Sequence, residues 1–181
     1  SSAVARVDSS TQTLATSLDA ACFGVLAQRS SLSRETIHSV LRQMPGQAIR
    51  ILDVNLRPPF FSKQRVEESL GLATVLKLTE GTVHKRLAAL REQFSLDLVA
   101  YTRGADGSIL IRANEIHETR GLEITPVDSV GAGDSFTAAL CIGLLKGLPL
   151  IEINAFANRV AAFVCSHQGA CPALPADLRF Y

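Results

Sequence analysis

Short apolar runs alternate along the chain with longer segments in which apolar residues recur at helical spacing. Continuous short apolar runs are typical of strands buried on both faces of a sheet, whereas apolar residues three or four apart predict amphipathic helices. The predicted strands are ACFGVLA (21–27), IRILDV (49–54), TVLKL (74–78), LDLVAY (96–101) and SILIR (108–112). The predicted helices are SRETIHSVLRQM (33–44), SKQRVEESLGLA (62–73), VHKRLAALREQF (83–94), Asp134 to Lys146 and Ile151 to Cys165.

Polar residues and glycines mark the boundaries of these elements. Ser33 and Ser62 precede helical stripes and are predicted to be N-caps, because a serine hydroxyl can accept a hydrogen bond from an N–H of the first turn. Gly104 and Gly107 set a turn between two strands. Strands that alternate with helices indicate βαβ units and a parallel sheet covered by helices on both faces.

The composition is that of a globular domain with a sizeable core. The 181 residues are 47% hydrophobic and 19% charged. The formal net charge of +1 gives no electrostatic reason to expect nucleic acid or an anionic membrane as a partner. Residues 1–20, rich in Ser, Thr and Ala, carry no predicted element, and residues 21–181 are predicted to form one α/β domain.

The four cysteines are predicted to be small buried thiols. None forms a CxxC pair, and Cys141 and Cys165 lie within apolar runs. This interpretation favours a reducing, cytoplasmic location. No apolar run is long enough to span a bilayer, and residues 1–20 lack the basic region followed by an apolar core that marks a secretory signal.

Three polar clusters follow predicted strands. They are DVNLRP (53–58), KLTE (77–80) and YTRGADG (101–107). Ligands of open parallel sheets bind outside the carboxyl ends of the strands, so the pattern predicts a ligand site at that edge. Asp53 is interpreted as a cap of a neighbouring turn and is not among the predicted catalytic residues.

Gly131, Ala132 and Gly133 form a loop of small residues ahead of a predicted helix that begins at Asp134. Backbone N–H groups of such a loop can converge on an anion, and the positive end of the helix dipole adds to the attraction. For Asp134, one interpretation is a carboxylate that stabilises the helix dipole by about 0.3–1 kcal/mol. The other is a general base beside a bound phosphate, since phosphoryl transfer needs a group that orients and deprotonates the attacking hydroxyl.

Two other phosphate-binding motifs do not fit the sequence. GxxxxGK[ST] does not occur, which excludes a P-loop. GAGDSF has Phe136 where a dinucleotide fingerprint needs its third glycine. Glu152, at about the expected distance for a ribose-binding acid, begins a predicted helix rather than following a strand.

The segment DSVGAGDSFTAAL (128–140) resembles the second signature of the PfkB (ribokinase-like) carbohydrate kinases. Four further segments are similar to that family: LDVNLRPPFF (52–61) to its Asp-x-Asn-x-Arg strand end, VLKLTE (75–80) to its divalent-metal region, TRGADGS (102–108) to its nucleotide turn, and ANRVAAFVCSHQGA (157–170) to its adenine-side helix. CFGVLAQRS (22–30) and DVNLRPPFF look most like bacterial fructokinases. The resemblance implies a ribokinase-like three-layer α/β/α fold with a mainly parallel central sheet.

The resemblance also implies an ATP-dependent kinase that phosphorylates a hydroxyl of a small sugar, with fructose as the first candidate. It implies that Asp134 is the catalytic base and that Gly131, Ala132 and Gly133 form the anion hole. The resemblance further implies that Thr102, Gly104, Gly107, Asn158 and Ala162 bind the nucleotide and that Asn55 and Arg57 contact the substrate. It implies that Glu80 binds magnesium through water. A monovalent cation such as K⁺ would be coordinated by Asp128, the Val130 carbonyl and Gly169. Structural alternatives are turn formation for Gly104 and Gly107, a solvated helix position for Asn158, and charge neutralisation for Arg57.

The chain departs from the family pattern in two places. The N-terminal sugar-binding region and its lid are not recognisable, and residues 1–20 are interpreted as a remnant of them. Thr79 stands where the family has the asparagine of Asn-x-x-Glu. The expected partners are ATP and a small sugar, without nucleic acid or membrane, and a homodimer is expected by analogy. The alternatives are a kinase for 2-keto-3-deoxygluconate, ribose or a nucleoside, and a non-catalytic module that senses nucleotide or sugar.

Overall fold

One six-stranded sheet forms the centre of the fold in the computed structural model, which describes residues 9–55, 62–79 and 87–179. The strands lie side by side in chain order; the first four are parallel, and each of the last two is antiparallel to the strand before it. Their bounds are β1 Ala20–Gly24, β2 Ile49–Val54, β3 Val75–Thr79, β4 Leu98–Thr102, β5 Ser108–Arg112 and β6 Glu115–Thr119. The predicted mainly parallel sheet is confirmed.

Helices cover both faces of this sheet, which gives three layers. Their bounds are α1 Ser9–Ala15, α2 Ser31–Gln43, α3 Lys63–Leu70, α4 Leu87–Gln93, α5 Ala132–Leu145 and α6 Leu150–Cys165. Apolar side chains of α2, α3 and α4 form the core on one face, and those of α5 and α6 form the core on the other. The three-layer α/β/α architecture is therefore confirmed. Within the described ranges, no helix is both long and apolar enough to cross a membrane.

The central strands are apolar at consecutive positions because helices cover both of their faces. Leu52 and Leu76 belong to the core shared with α2, α3 and α4, whereas Ile51 and Val75 belong to the core shared with α5 and α6. Successive side chains of a strand point to opposite faces. A strand covered on both sides must therefore be apolar at nearly every position, which is the pattern seen in the sequence.

The two predicted N-cap serines have different outcomes. Ser62 caps α3, and its hydroxyl accepts a hydrogen bond from the Arg65 N–H. Ser33 is not a cap, because α2 begins at Ser31 and the Ser30 hydroxyl accepts a hydrogen bond from the Ser33 N–H. A run of serines leaves the start of the helix undetermined in the sequence, since any of them can serve as a cap.

Two elements are absent from the prediction, and the predicted start of α5 is wrong. Helix α1 lies within the first twenty residues, and β6 is a half-buried edge strand; neither element is predicted from the pattern. Helix α5 begins at Ala132 rather than at Asp134, so Ala132 and Gly133 belong to its first turn and not to a loop. Gly131 has a φ of 82°, which is outside the helical conformation, so α5 can begin only at the next residue.

All four cysteines are free, but the prediction that they are buried is wrong for two of them. Cys22 is exposed on β1, which is one of the two edge strands of the described sheet. Cys171 is exposed in the segment after α6, and Cys141 and Cys165 are partly buried within helices.

Helices α5 and α6 approach each other closely at Gly143. A Cβ atom at this position would lie 2.8 Å from Cγ1 of Ile153, a side chain that is buried in the α5–α6 core. Protein interiors are packed at the density of organic crystals, so neighbouring side chains have little room to move aside. The separation of the two helices therefore depends on glycine at position 143.

We expect Gly143→Ala to lower the free energy of unfolding by about 1–3 kcal/mol, because the added methyl group overpacks this contact. Urea denaturation measures the change. Gly46→Ala is the control, since a Cβ at Gly46 would meet nothing within 4 Å. Ile153→Ala removes the contacting Cγ atoms and should destabilise the Gly143→Ala protein less than it destabilises the wild type. Equal losses in the two backgrounds would contradict the steric explanation.

Candidate active site

The predicted anion-binding residues lie at the start of α5. Gly131 is the N-cap residue, and its φ of 82° lies in the left-handed region that favours glycine. A Cβ atom at Gly131 would also overlap the carbonyl oxygen of Ala170. The backbone conformation and the close approach of the 169–170 segment therefore both require glycine at position 131.

The first turn of α5 presents backbone N–H groups that have no acceptor within the helix. The Ala132 N–H reaches the carbonyl oxygen of Ser129 at 3.3 Å, and the Gly131 N-cap supplies no side chain to cap the following residues. Gly133 and Asp134 are exposed. The helix start thus offers N–H donors and a positive dipole end to an anion, with the Asp134 carboxylate beside them.

Asp128 joins two loops beside this helix start. Its Oδ1 accepts a hydrogen bond from the Val130 N–H at 2.9 Å, and its Oδ2 accepts one from the Gly169 N–H at 3.2 Å. The three residues assigned to a monovalent cation by resemblance are therefore brought together. Their coordination of a cation stays a prediction.

The residues assigned to the nucleotide turn lie at the end of β4. The Thr102 hydroxyl donates to the Leu78 carbonyl oxygen at 3.1 Å, which ties β4 to β3. Gly104 and Gly107 have φ values of 55° and 86°, and a Cβ atom at Gly107 would overlap the carbonyl oxygen of Thr119. The backbone conformation of the turn therefore explains why both positions are glycine. Their contact with a nucleotide stays a prediction.

Asn158 and Ala162, assigned to the adenine side, lie one helical turn apart on α6 and are both partly buried. The Asn158 amide donates to Ser108 Oγ at 2.6 Å and to the Asn154 carbonyl oxygen at 2.7 Å. Asn154 in turn donates to the His117 carbonyl oxygen at 3.0 Å. The interpretation of Asn158 as a solvated helix residue is therefore wrong, because its amide joins α6 to β5.

The residues assigned to the substrate and to magnesium lie mostly beyond the described ranges. Asn55 is exposed directly after β2. Arg57 and Glu80 lie outside the described residues, so their roles stay predictions. Within the described ranges, no group of three or more His, Cys, Asp and Glu side chains could hold a metal ion.

A buried ion pair that the sequence reasoning missed lies beneath the start of α5. Lys77 Nζ lies 3.1 Å and 3.0 Å from the two carboxylate oxygens of Asp53, and the Thr137 hydroxyl donates to Asp53 Oδ2 at 2.9 Å. The Lys77 side chain is 4% exposed and the Asp53 side chain 15%. The interpretation of Asp53 as a turn cap is wrong, because its carboxylate binds Lys77 on β3 and Thr137 on α5.

The sequence contains one signal for this pair. Lys77 stands in the middle of an otherwise apolar run, and a fully buried lysine is rare unless it has a partner. The partner is identified by the strand register, in which Asp53 lies directly opposite Lys77 on the neighbouring parallel strand. That register is not visible in the sequence.

The Cys22 thiol lies close to this ion pair. Partial burial of the sulfur raises the pKa of Cys22 to about 11, and the negative charge of Asp53 adds to the shift while the positive charge of Lys77 opposes it. The residue as a whole is nevertheless exposed on the edge strand. Its reactivity can therefore be measured directly and reports on the two charges.

We expect Asp53→Asn to lower the pKa of Cys22 and to speed its alkylation, because a neighbouring negative charge disfavours the thiolate. Iodoacetamide labelling at about pH 8.5, near the pKa of an ordinary thiol, followed by peptide mass spectrometry, measures the rate. Cys171 in the same protein is exposed and serves as the internal control. An unchanged or slower rate at Cys22 would contradict the described position of Asp53.

Comparison with known proteins identifies relatives over nearly the whole chain. The family model for pfkB family carbohydrate kinases matches residues 5–177. An uncharacterised sugar kinase of Pyrococcus horikoshii is 34% identical over 157 residues, which cover 82% of this chain and 50% of that protein. A fructokinase of Escherichia coli is 30% identical over 169 residues, which cover 82% of this chain and 54% of that protein. The chain spans about half the length of these relatives.

Solved structures have the same fold. The structure of the Pyrococcus horikoshii kinase in complex with ATP matches with a TM-score of 0.73 and 31% identity, covering 87% of this chain and 55% of that chain. A fructokinase of Vibrio cholerae with fructose, ADP and calcium bound matches with a TM-score of 0.74 over 88% of this chain and 59% of that chain. Its 24% identity supports the fold alone. Sequence and fold agree with the resemblance found in the signature segment, and the chain belongs to the pfkB family of carbohydrate kinases.

Proposed function

We propose that this protein transfers the γ-phosphoryl group of ATP to a hydroxyl of a small sugar. The observation that supports this most is the start of α5, where the exposed Asp134 carboxylate stands beside backbone N–H groups that have no acceptor within the helix. A carboxylate and a bound anion repel each other. The presence of Asp134 at an anion-binding helix end therefore favours a role for it in the reaction. Family membership supports the same chemistry.

In this proposal Asp134 is the general base. It accepts the proton of the sugar hydroxyl while that oxygen forms a bond to the γ-phosphorus and the bond between the γ-phosphorus and the bridging oxygen breaks. ADP leaves with the electron pair of the broken bond. The N–H groups of Gly131, Ala132 and Gly133 stabilise the charge on the oxygens of the transferred group, which is the main electrostatic task in phosphoryl transfer.

The nucleotide is proposed to lie between the turn after β4 and helix α6. Thr102, Gly104 and Gly107 would line one side, and Asn158 with Ala162 would approach the adenine. Binding of ATP is supported by the Pyrococcus horikoshii relative, which was solved in complex with ATP.

The proposed ions are Mg²⁺ near Glu80 and a monovalent cation such as K⁺ near Asp128. A bound Mg²⁺ would supply positive charge beside the phosphates of the nucleotide. At the second site, both Asp128 oxygens are fixed by backbone N–H groups of Val130 and Gly169. Carboxylate and carbonyl oxygens are the donors that hard cations prefer, so the groups at this site are suitable for such an ion.

Fructose is the proposed acceptor, because a fructokinase of Escherichia coli is 30% identical to the chain. A kinase for 2-keto-3-deoxygluconate, ribose or a nucleoside is the alternative. Arg57 is compatible with a substrate that bears a carboxylate, since a guanidinium pairs well with planar anions. A cytoplasmic homodimer is proposed by analogy with the family.

A non-catalytic nucleotide sensor is the second candidate function. The observation that favours it is Thr79, which replaces the asparagine of the family's metal region and whose hydroxyl lies 3.2 Å from that of Thr102. The presence of Asp134 favours the kinase. Sugar-dependent release of ADP separates the two functions.

We expect Asp134→Asn to reduce kcat by at least about 100-fold, the scale of general-base catalysis, while nucleotide affinity is retained. A coupled assay for ADP on the whole encoded protein measures kcat, and calorimetry measures nucleotide binding. Glu152→Gln is the matched control, because Glu152 is also a carboxylate in the first turn of a helix, α6. Substantial turnover by Asp134→Asn would rule out the proposed base.

We expect kcat/KM to be highest for fructose in a panel that also contains 2-keto-3-deoxygluconate, ribose and a nucleoside. A preference for 2-keto-3-deoxygluconate that Arg57→Met abolishes would support the alternative acceptor, because Met removes the carboxylate-binding guanidinium. Nucleotide binding without ADP release for any sugar would support the sensor.

A further inference from the structure

The Lys77 ammonium group lies directly under the first turn of α5. A Cβ atom at Gly133 would lie 3.3 Å from Lys77 Nζ, closer than most real contacts of a Cβ. The positive charge is therefore next to the backbone of the turn whose N–H groups form the proposed anion hole. A Cβ atom at position 133 would require the ammonium group to shift by a few tenths of an ångström.

Hydrogen bonds fix the charge in this position. Asp53 binds Lys77 Nζ through both carboxylate oxygens and also accepts a hydrogen bond from the Thr137 hydroxyl. The same hydroxyl lies 3.0 Å from the carbonyl oxygen of Gly133. Two strands and the first turn of α5 are thus tied together around one lysine.

Stability alone does not explain this arrangement. Removing two charges from water costs free energy, and their mutual attraction often does not offset this cost. Buried ion pairs can therefore frequently be replaced by apolar residues without loss of stability. Val75, two residues before Lys77 on β3 and therefore on the same face of the sheet, is apolar and buried in the core shared with α5 and α6. An uncharged side chain would suit the same environment.

We propose that Lys77 is a positioning residue for phosphoryl transfer: its charge, held by Asp53, raises the positive potential at the α5 N–H groups where the transferred phosphoryl group binds. This inference rests on the proposed function. A buried charge acts over such a short distance with less screening by water and salt than a surface charge, although the Asp53 carboxylate offsets part of its effect. Lys77 acts through the first turn of α5, with Asp53 as its support and Thr137 as the tie to the helix.

The test removes the pair as a unit. Asp53→Asn with Lys77→Met replaces two charges with two neutral side chains of similar size, so the thermal unfolding temperature should stay close to that of the wild type. We expect kcat of the double variant to fall by about 100-fold, the scale seen when one donor to a developing negative charge is lost. The KM for the sugar should not change. Lys63→Met is the matched control, since Lys63 is exposed and pairs with Glu67 on the surface of α3.

The same variants give a measurement that does not depend on turnover. In the double variant, the preference for binding ATP over ADP should fall about tenfold or more, because only ATP places a phosphoryl group at the α5 turn. Lys63→Met should keep the wild-type preference, because Lys63 lies on the surface of α3. A merely structural role of the buried pair predicts that a folded double variant keeps the preference as well.

Two results would overturn the inference: a folded double variant with wild-type kcat, or a folded double variant with an unchanged preference for ATP. If this double variant does not fold, Asp53→Leu with Lys77→Leu, an apolar replacement of the pair, is used for the same two measurements. Failure of the proposed function is distinguishable, because it would appear in the wild type as absence of sugar-dependent ADP release or as an active Asp134→Asn variant.

Discussion

The docking of α5 across the sheet is the constraint on which the candidate site depends. Phe136 and Leu140 are buried in the core that α5 shares with the sheet, and Thr137 binds Asp53 at the end of β2. The helix therefore cannot slide along its axis without breaking an apolar contact and a buried hydrogen bond. Its N–H groups are held in place before any ligand arrives, so little reorganisation is needed when charge develops beside them.

Close approach of backbone to neighbouring groups gives the site its shape. Because Gly131 has no side chain, the carbonyl group of Ala170 can lie close to its backbone. In the same way, the Lys77 ammonium group lies close to the backbone of Gly133. Asp128 then joins the segment before α5 to the segment after α6 through the Gly169 N–H. Each of these contacts joins parts of the chain that are distant in sequence. A side chain at position 131 would overlap the backbone of Ala170, and one at position 133 would shift the Lys77 ammonium group by a few tenths of an ångström.

The elements of the fold could be predicted wherever burial imposes a pattern. Ile51 and Leu52 face opposite cores, so their strand is an apolar run that the sequence reveals. Strand β6 is not predicted from the sequence, because it has only five residues and only alternate ones are half-buried. The signature that spans the start of α5 predicts a role for Asp134, and the lysine within an apolar run predicts a buried charge at Lys77. Its contacts with Asp53 and Thr137 depend on the register of β2 and β3 and on the docking of α5, and these are not visible in the sequence.

The buried polar residues of the described chain fall into three clusters that differ in charge. On the α2–α3 side, His38 and Ser69 share hydrogen bonds with Gln28, and burial lowers the pKa of His38, which favours its neutral form. Between α6 and β5, Ser108 pairs with Asn154. Both clusters are satisfied and uncharged, as expected of groups that only join elements. The third cluster alone contains a buried Lys, Arg, Asp or Glu, namely Lys77. It lies under the exposed first turn of α5, whose N–H groups have no acceptor within the helix. Packing alone does not explain why a buried charge lies next to these donors.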